Sequence, residues 1–184
     1  MSPSPALSHL QRIQRISRIM VRVCIALIVL MPLALVIYWA TATAPELAAQ
    51  GNLQAAVIRA PLQVWQRIAA AFVSGLPLAC LLMGVWQAKL CFEQFANGEV
   101  FTARAVGSLR RFAGWTAAAA LATILAGAAI SVLLTLHNPP GTRQLALGVG
   151  SNQFFTLFFA ALVWLMADII GQGQTLAEEN RQFI

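Results

Sequence analysis

Residues Phe112 to Leu136 read FAGWTAAAALATILAGAAISVLLTL, which is 25 residues without a formal charge. They are the apolar part of a charge-free run that continues to Thr142. An α-helix rises about 1.5 Å per residue and the hydrocarbon of a bilayer is about 30 Å thick, so about 20 residues cross it. Because every backbone amide in hydrocarbon needs an internal partner, the expected conformation is a helix. The stretch therefore predicts a membrane-spanning helix.

Three further charge-free stretches are long enough to cross a bilayer. They are residues 23–44, 68–88 and 144–167, the last extended to about residue 170. The alternation of apolar and polar residues that membrane strands require is absent. The sequence therefore predicts an all-α integral membrane four-helix bundle. The expected spans are residues 20–42, 65–90, 112–136 and 152–171.

The composition agrees with lipid as part of the solvent. Of the 184 residues, 59% are hydrophobic and only 10% are charged, whereas a soluble domain has about 45–50% apolar and about 25% charged residues. A chain this short cannot bury so much apolar surface in a water-soluble globule, and intrinsic disorder goes with the opposite composition. The net charge of +6 lies beside apolar runs, which favours orientation in a membrane over nucleic-acid binding.

The distribution of Lys and Arg predicts the topology. Nine of the 12 basic residues fall on one side of the predicted membrane, and three fall on the other. The nine are Arg12, Arg15, Arg18, Arg22, Lys89, Arg104, Arg110, Arg111 and Arg181, and the three are Arg59, Arg67 and Arg143. The positive-inside rule then places both termini in the cytoplasm, together with the connection 91–111 and the tail 172–184. We expect a multi-pass protein of a bacterial inner membrane.

The N-terminal residues form a separate segment in this scheme. Residues 1–18 are expected to be a basic amphipathic extension, and residues 19–184 a single four-span membrane domain. On a helix over residues 7–22, Leu10, Ile13, Ile16 and Met20 fall on one arc and the four arginines on another. Such a helix can lie on anionic lipid, although a plain cytoplasmic extension is equally compatible with the pattern. The first span exceeds the apolar region of a signal peptide, which favours an uncleaved helix over a cleaved one.

Small and kinking residues characterise the predicted spans. Pro32 and Pro77 each remove a helical hydrogen bond and predict kinks, either as packing features or beside a pathway. Small residues recur every four positions in the third span, which lets neighbouring backbones approach closely. We expect this span to be the central packing helix, with a seam between two copies of the chain as the alternative.

Reactive groups are scarce. Asp168 is the one formal charge near a span core, and we expect it to pair with a basic residue of the connection rather than to carry ions. His9 and His137 fall on opposite predicted sides and cannot share a metal. The three cysteines lack the paired spacing of a disulfide framework or a zinc site. The sequence therefore predicts no enzyme, and it gives no catalytic, cofactor-binding or metal-binding residue.

Two predicted cytoplasmic segments carry a resemblance. Residues 90–102 read LCFEQFANGEVFT and lead to LRRFAGW at 109–115, and residues 173–180 read GQTLAEEN. With the four spans, they resemble the bacterial membrane family called domain of unknown function 2975. That family has a Gly-x-x-Phe-(Ser/Thr) segment before a Leu-Arg-Arg run and a Gly-x-x-Leu-x-x-Glu-Asn-like tail. That family has no established activity. The resemblance implies an accessory protein of the kind often encoded beside a small helix-turn-helix regulator. Residues 181–184 depart from the family's usual ending.

The same segments have a direct physical interpretation. Asn97-Gly98 is typical of a turn, and Thr102 is a good N-cap for a short helix that carries Arg104, Arg110 and Arg111 into the third span. We expect the acidic tail to pack on the basic connection, with a solvated tail as the alternative. The candidate residues are Gly98, Phe101, Thr102, Arg110, Arg111, Asp168, Leu176, Glu178, Glu179 and Asn180. The expected function is that of an accessory or regulatory interaction protein with a cytoplasmic regulator or membrane partner. The alternative is a transporter or channel component.

Overall fold

The computed structural model describes residues 5–54, 63–99, 102–139 and 143–182, and for residues 5–10, 44 and 176–182 it describes the backbone alone. Every element in these ranges is helical. The helices are α1 (Pro5–Thr41), α2 (Ala44–Gln50), α3 (Val64–Ala96), α4 (Ala103–Thr135) and α5 (Ser151–Gln182). This result confirms the all-α class.

Four of the five helices are long and apolar enough to cross a membrane. The qualifying segments are Gln11–Thr41, Val64–Ala96, Ala103–Thr135 and Ser151–Thr175. Each contains one of the four spans expected from the charge-free stretches, or all but its last residue. Pro32 and Pro77 lie inside uninterrupted helices.

The helix ends extend beyond the predicted spans. α1 begins at Pro5 and α5 continues to Gln182, so most of the predicted extension 1–18 and tail 172–184 continues the neighbouring span as helix. A charge-free count measures the part of a helix that needs hydrocarbon. It does not detect the end of the helix, because arginine and glutamate are themselves good helix formers. The short helix α2 was not predicted.

Contacts divide the chain into two compact units. Unit 1 comprises Met1–Val29, Leu82–Thr116 and Phe158–Ile184, and unit 2 comprises Leu30–Leu81 and Ala117–Leu157. Each of the four long helices contributes one part to each unit. Unit 1 thereby contains the α3–α4 turn, and unit 2 contains α2 and the segment 143–150.

Burial is concentrated on α4. In its most apolar window 44% of the residues are buried, compared with 6–11% in the other three candidate spans. Its buried residues are mainly small, including Ala113, Ala119, Ala122 and Ala126. This burial confirms the prediction that the third span is the central packing helix, since alanine allows close approach of neighbouring backbones.

The core of unit 2 forms around α2. Leu47 and Ala48 are fully buried, and they belong to a cluster with Trp39 and Leu134. A Cβ atom on Gly51 would lie 3.1 Å from the Cα of Ser131, closer than a side chain normally allows. The end of α2 therefore packs directly against the backbone of α4.

The helix ends of unit 2 are satisfied by side chains. The Nε2 of Gln66 donates to the carbonyl oxygen of Leu133 at 2.8 Å, one of the last α4 carbonyls, which have no partner inside their helix. The Oε1 of Gln66 accepts from the backbone N–H of Gln63 at 2.9 Å, just before α3. Arg67 donates to the carbonyl of Ala42 at 3.2 Å, just beyond α1. Two adjacent side chains of α3 thus serve the ends of three helices.

Candidate functional site

The turn between α3 and α4 lies in unit 1 and depends on Gly98. Its φ is 86°, in the left-handed region where glycine is favoured. Its N–H donates to the carbonyl of Phe95 at 3.1 Å, and the N–H of Glu99 donates to that of Gln94 at 2.9 Å. These two bonds define a Schellman motif with glycine at the position after the cap. The turn predicted at Asn97-Gly98 is confirmed.

Thr102 begins the next helix. Its Oγ1 accepts from the backbone N–H of Ala105 at 3.2 Å, which confirms the predicted N-cap. The same hydroxyl donates to the Oε1 of Gln94 at 3.4 Å and so connects the end of α3 to the start of α4. The helix it begins is the single long α4, rather than a short helix that precedes the span.

A groove follows the first two turns of α4. Its volume is about 440 Å³. Its α4 wall contains Ala103, Arg104, Gly107, Ser108 and Arg111, and its α3 wall contains Leu90 and Gln94. Positions 104, 107, 108 and 111 share one face of a helix because they follow the i, i+3, i+4, i+7 spacing. We call this feature the arginine groove.

The polar groups of the arginine groove have few partners. Arg104 and Arg111 are exposed, and neither forms an ion pair within the described part of the chain. Ser108 is only 6% exposed and forms no hydrogen bond with any residue that the structure describes. Lys89, on α3, is paired with Glu93 at 2.7 Å. The groove is therefore lined by two arginines without an ion pair and one serine without a hydrogen bond, among the residues that the structure describes.

Arg110, unlike Arg104 and Arg111, forms an ion pair among the described residues. Its Nη2 pairs with the Oδ1 of Asp168 on α5, which is the kind of partner that the sequence predicts for Asp168. Both side chains are between one third and one half exposed, at 48% and 37%, so the pair contributes only about 0–1 kcal/mol. The pair joins α4 to α5 within unit 1.

Two further contacts join the same two helices. A Cβ on Gly114 would lie 3.3 Å from the ring of Trp164, and one on Gly171 would lie 3.5 Å from Val106. From one contact to the next, position numbers rise on α4 and fall on α5. Within unit 1 the two helices therefore run antiparallel, with the Arg110–Asp168 pair between the two glycine contacts.

The predicted contact between the tail and the connection stays a prediction. Phe101 lies outside the described residues, as do the side chains of Leu176, Glu178, Glu179 and Asn180. The N-terminal arginines are described and exposed: they are Arg12, Arg15, Arg18 and Arg22.

Unit 2 contains a second cavity of about 300 Å³. Its polar lining is uncharged and includes Asn52, Ser74, Thr123 and Gln153, and Pro77 of α3 also lines it. Asn52 has a φ of 52°, which asparagine tolerates better than most residues. The absence of a side chain on Gly148 makes room for the Asn52 amide. This cavity offers hydrogen bonds to a neutral polar molecule.

Among the described residues, no group of three His, Cys, Asp or Glu side chains is placed to hold a metal ion. Cys24, Cys80 and Cys91 are free thiols. The ring of His137 lies 5.7 Å from that of Trp65.

The all-helical fold, with its four candidate spans, is that of a multi-pass membrane protein. Over residues 46–184, about three quarters of its length, the chain matches the family described as Protein of unknown function (DUF2975), and it belongs to that family. The match begins in α2, so α1 precedes it. No curated protein and no solved structure matches the chain in the same comparisons.

Sequence reasoning missed part of the arginine groove. From the sequence, Arg104 is interpreted as an orientation signal and as part of the basic connection but not as a site residue, and Gln94 and Ser108 are not singled out. A signal existed in the spacing, because Arg104, Ser108 and Arg111 fall on one face of any helix that continues from Thr102. The adjacent arginines obscure this spacing, because Arg110 pairs with Asp168 and only Arg111 of the two lines the groove.

Proposed function

We propose that this chain is a non-enzymatic inner-membrane accessory protein that binds a cytoplasmic regulator or another membrane protein. The binding surface, which we call the cytoplasmic face, comprises residues 90–111 and 172–184. Both termini lie on the same side of the membrane as this face. The N-terminal arginines contact anionic lipid.

One observation supports this proposal above the others. Unit 1 brings together the N-terminal segment, the α3–α4 turn and the end of α5, which are the segments that carry nine of the 12 basic residues. Unit 2 contains the other three. A compact unit rich in arginine at the ends of apolar helices agrees with the positive-inside rule.

The charges on this face suit a protein partner. Arg104 and Arg111 are exposed without ion pairs among the described residues, and Arg is enriched in the interfaces of protein complexes. The sequence places Glu178 and Glu179 in the same unit. A face with both signs of charge can select a partner by charge complementarity.

Cross-linking in native membranes tests the proposal. The tagged full chain is cross-linked, purified and analysed for partners, beside the double variant Glu178→Lys/Glu179→Lys. The matched control is Arg143→Glu, which reverses an exposed charge in unit 2. We expect one reproducible partner that the double variant loses and the control retains. Equal thermal melting of all three proteins shows that the loss is not misfolding.

Two outcomes of this experiment would contradict the proposal or part of it. If no protein is enriched above the level found with an unrelated four-span protein, the accessory role is wrong. Retention of the partner by the double variant would remove the tail from the binding surface.

The cavity of unit 2 favours a second candidate, a transporter or channel component. It is lined by uncharged polar groups and by Pro77, whose position in α3 leaves a backbone carbonyl without its helical partner. Flux of a neutral polar solute into liposomes tests this function. Pro77→Ala should reduce the flux, whereas Pro32→Ala, outside the cavity lining, should not. Equal flux in liposomes with and without the protein would exclude it.

A further inference from the structure

The arginine groove combines the groups that recognise a phosphate. Arg104 and Arg111 lie on one face of α4, about two turns apart, and both residues line the same groove. Guanidinium matches the geometry of phosphate oxygens through paired N–H donors. Both are without ion pairs among the described residues, so their charges remain available.

Ser108 provides an independent indication of a ligand. It is more than nine-tenths buried, lines the groove between the two arginines and has no hydrogen-bond partner among the described residues. Its hydroxyl is not among the buried atoms that lack a partner, so it remains accessible from the groove that the residue lines. A phosphate oxygen in the groove would accept from this hydroxyl. Gly107 leaves the approach open, since a Cβ there would meet nothing within 4 Å.

The start of α4 adds to this attraction. The positive end of the helix dipole lies at Ala103, on the wall of the groove. The nearby N–H of Ala105 is already bonded to Thr102, so the guanidinium groups supply most of the recognition. Of the carboxylates next to the groove, Glu93 is bonded to Lys89, and Glu99 in the α3–α4 turn forms no ion pair with Arg104 or Arg111.

We propose that the arginine groove binds the phosphate of an anionic phospholipid, with Arg104 and Arg111 as ligands and Ser108 as a hydrogen-bond donor. The lipid is favoured over free phosphate because the groove directly precedes the apolar run that begins at Phe112, where headgroups are expected. Leu90 gives the groove an apolar wall. Basic pockets between spans are a known way to hold such headgroups.

Lipid retention tests the proposal without any protein partner, so its outcome is independent of the accessory role. The full chain is placed in nanodiscs of phosphatidylcholine with a minority of phosphatidylglycerol, extracted into detergent and examined by native mass spectrometry. Arg104→Gln and Arg111→Gln are compared with Arg110→Gln, which removes the same charge from the neighbouring residue that pairs with Asp168. This control also corrects for lipid held by the N-terminal arginines.

We expect each groove variant to retain phosphatidylglycerol about five-fold more weakly than the control. Retention by Arg111→Lys should lie between that of Arg111→Gln and that of the control, because lysine keeps the charge but lacks the planar donor pair. Ser108→Ala should weaken retention without any change in charge. If a groove arginine variant melts early, the Ser108→Ala and Arg111→Lys results decide.

Two results would overturn the inference. Equal retention by the groove variants and by Arg110→Gln would show that the groove holds no headgroup. Thermal stabilisation by inorganic phosphate in detergent, lost in Arg104→Gln and with no preference for phosphatidylglycerol, would replace the lipid with free phosphate.

Discussion

Gln66 and Gln87 lie on the same helix, α3, in opposite surroundings. In unit 2, Gln66 is 1% exposed and both ends of its amide are bonded. In unit 1, the Oε1 of Gln87 is buried and has no hydrogen-bond partner among the described residues. One glutamine, Gln66, therefore completes two helix ends in unit 2, whereas another, Gln87 in unit 1, has a buried acceptor without a partner among the described residues.

The arginines follow the same division. Arg67 of unit 2 bonds to the carbonyl of Ala42 beyond α1, whereas Arg104 and Arg111 of unit 1 border an open groove. An unmet polar group costs stability that a bound molecule can restore. Among the described residues, the comparison shows polar side chains that complete helix ends in unit 2 and polar side chains without such partners in unit 1.

The largest expected effect is at Gln66. Gln66→Leu leaves the carbonyl of Leu133 and the N–H of Gln63 without these partners, and each such group costs about 1–3 kcal/mol when it stays dry. We expect a clear fall in the thermal melting temperature of the purified chain and faster hydrogen exchange near residues 63–66. An unchanged melting temperature would remove the basis of the comparison.

Gly98→Ala should have the next largest effect. The left-handed backbone at Gly98 costs a residue with a side chain about 1–2 kcal/mol. The matched control is Gly173→Ala, because a Cβ on Gly173, within α5, meets nothing within 4 Å and alanine is the better helix former. Chemical denaturation should lower the stability of the first variant and raise that of the second. A shift of the same sign in both would contradict the Schellman turn.

Gln87→Leu should change stability in the direction opposite to Gln66→Leu. It removes an amide whose oxygen has no partner among the described residues and replaces it with an apolar group of similar size, which is neutral or stabilising by up to about 1 kcal/mol. The melting temperature should stay equal or rise. A fall as large as that of Gln66→Leu would show that the two glutamines are equivalent.

The smallest effect concerns pH and the start of α2. The Oε2 of Glu46 accepts from the backbone N–H of Thr43 at 2.7 Å, and this bond lowers the pKa of Glu46 below its ordinary value of 4.5. Since the folded pKa is the lower one, the stabilisation is complete above about pH 4.5 and is lost as the pH falls through the folded value. The protection factor of the Thr43 N–H, which is its exchange relative to the intrinsic rate at each pH, should fall over that acid range, and Glu46→Gln should abolish this pH dependence of the protection.

The sequence predicts the spans well because hydrocarbon imposes a strong requirement on length and charge. The sequence also predicts the turn at Gly98, the N-cap at Thr102 and a basic partner for Asp168, because turns, caps and intramembrane charges follow local rules. The role of Gln66 was not, because its acceptor Leu133 is 67 residues away and no local pattern connects them. Helical spacing in the sequence indicates only the α4 wall of the arginine groove, because the α3 wall depends on how the two helices pack.

The bond from Gln66 to Leu133 also bears on biosynthesis. The ribosome delivers α3 well before the end of α4, so the amide of Gln66 emerges long before its acceptor exists. Until that moment the nascent chain must keep this amide in water, at the membrane boundary, or within the translocation machinery. The last turn of α4 therefore supplies the acceptor that this amide has lacked until then, and unit 2 still awaits the residues up to Leu157.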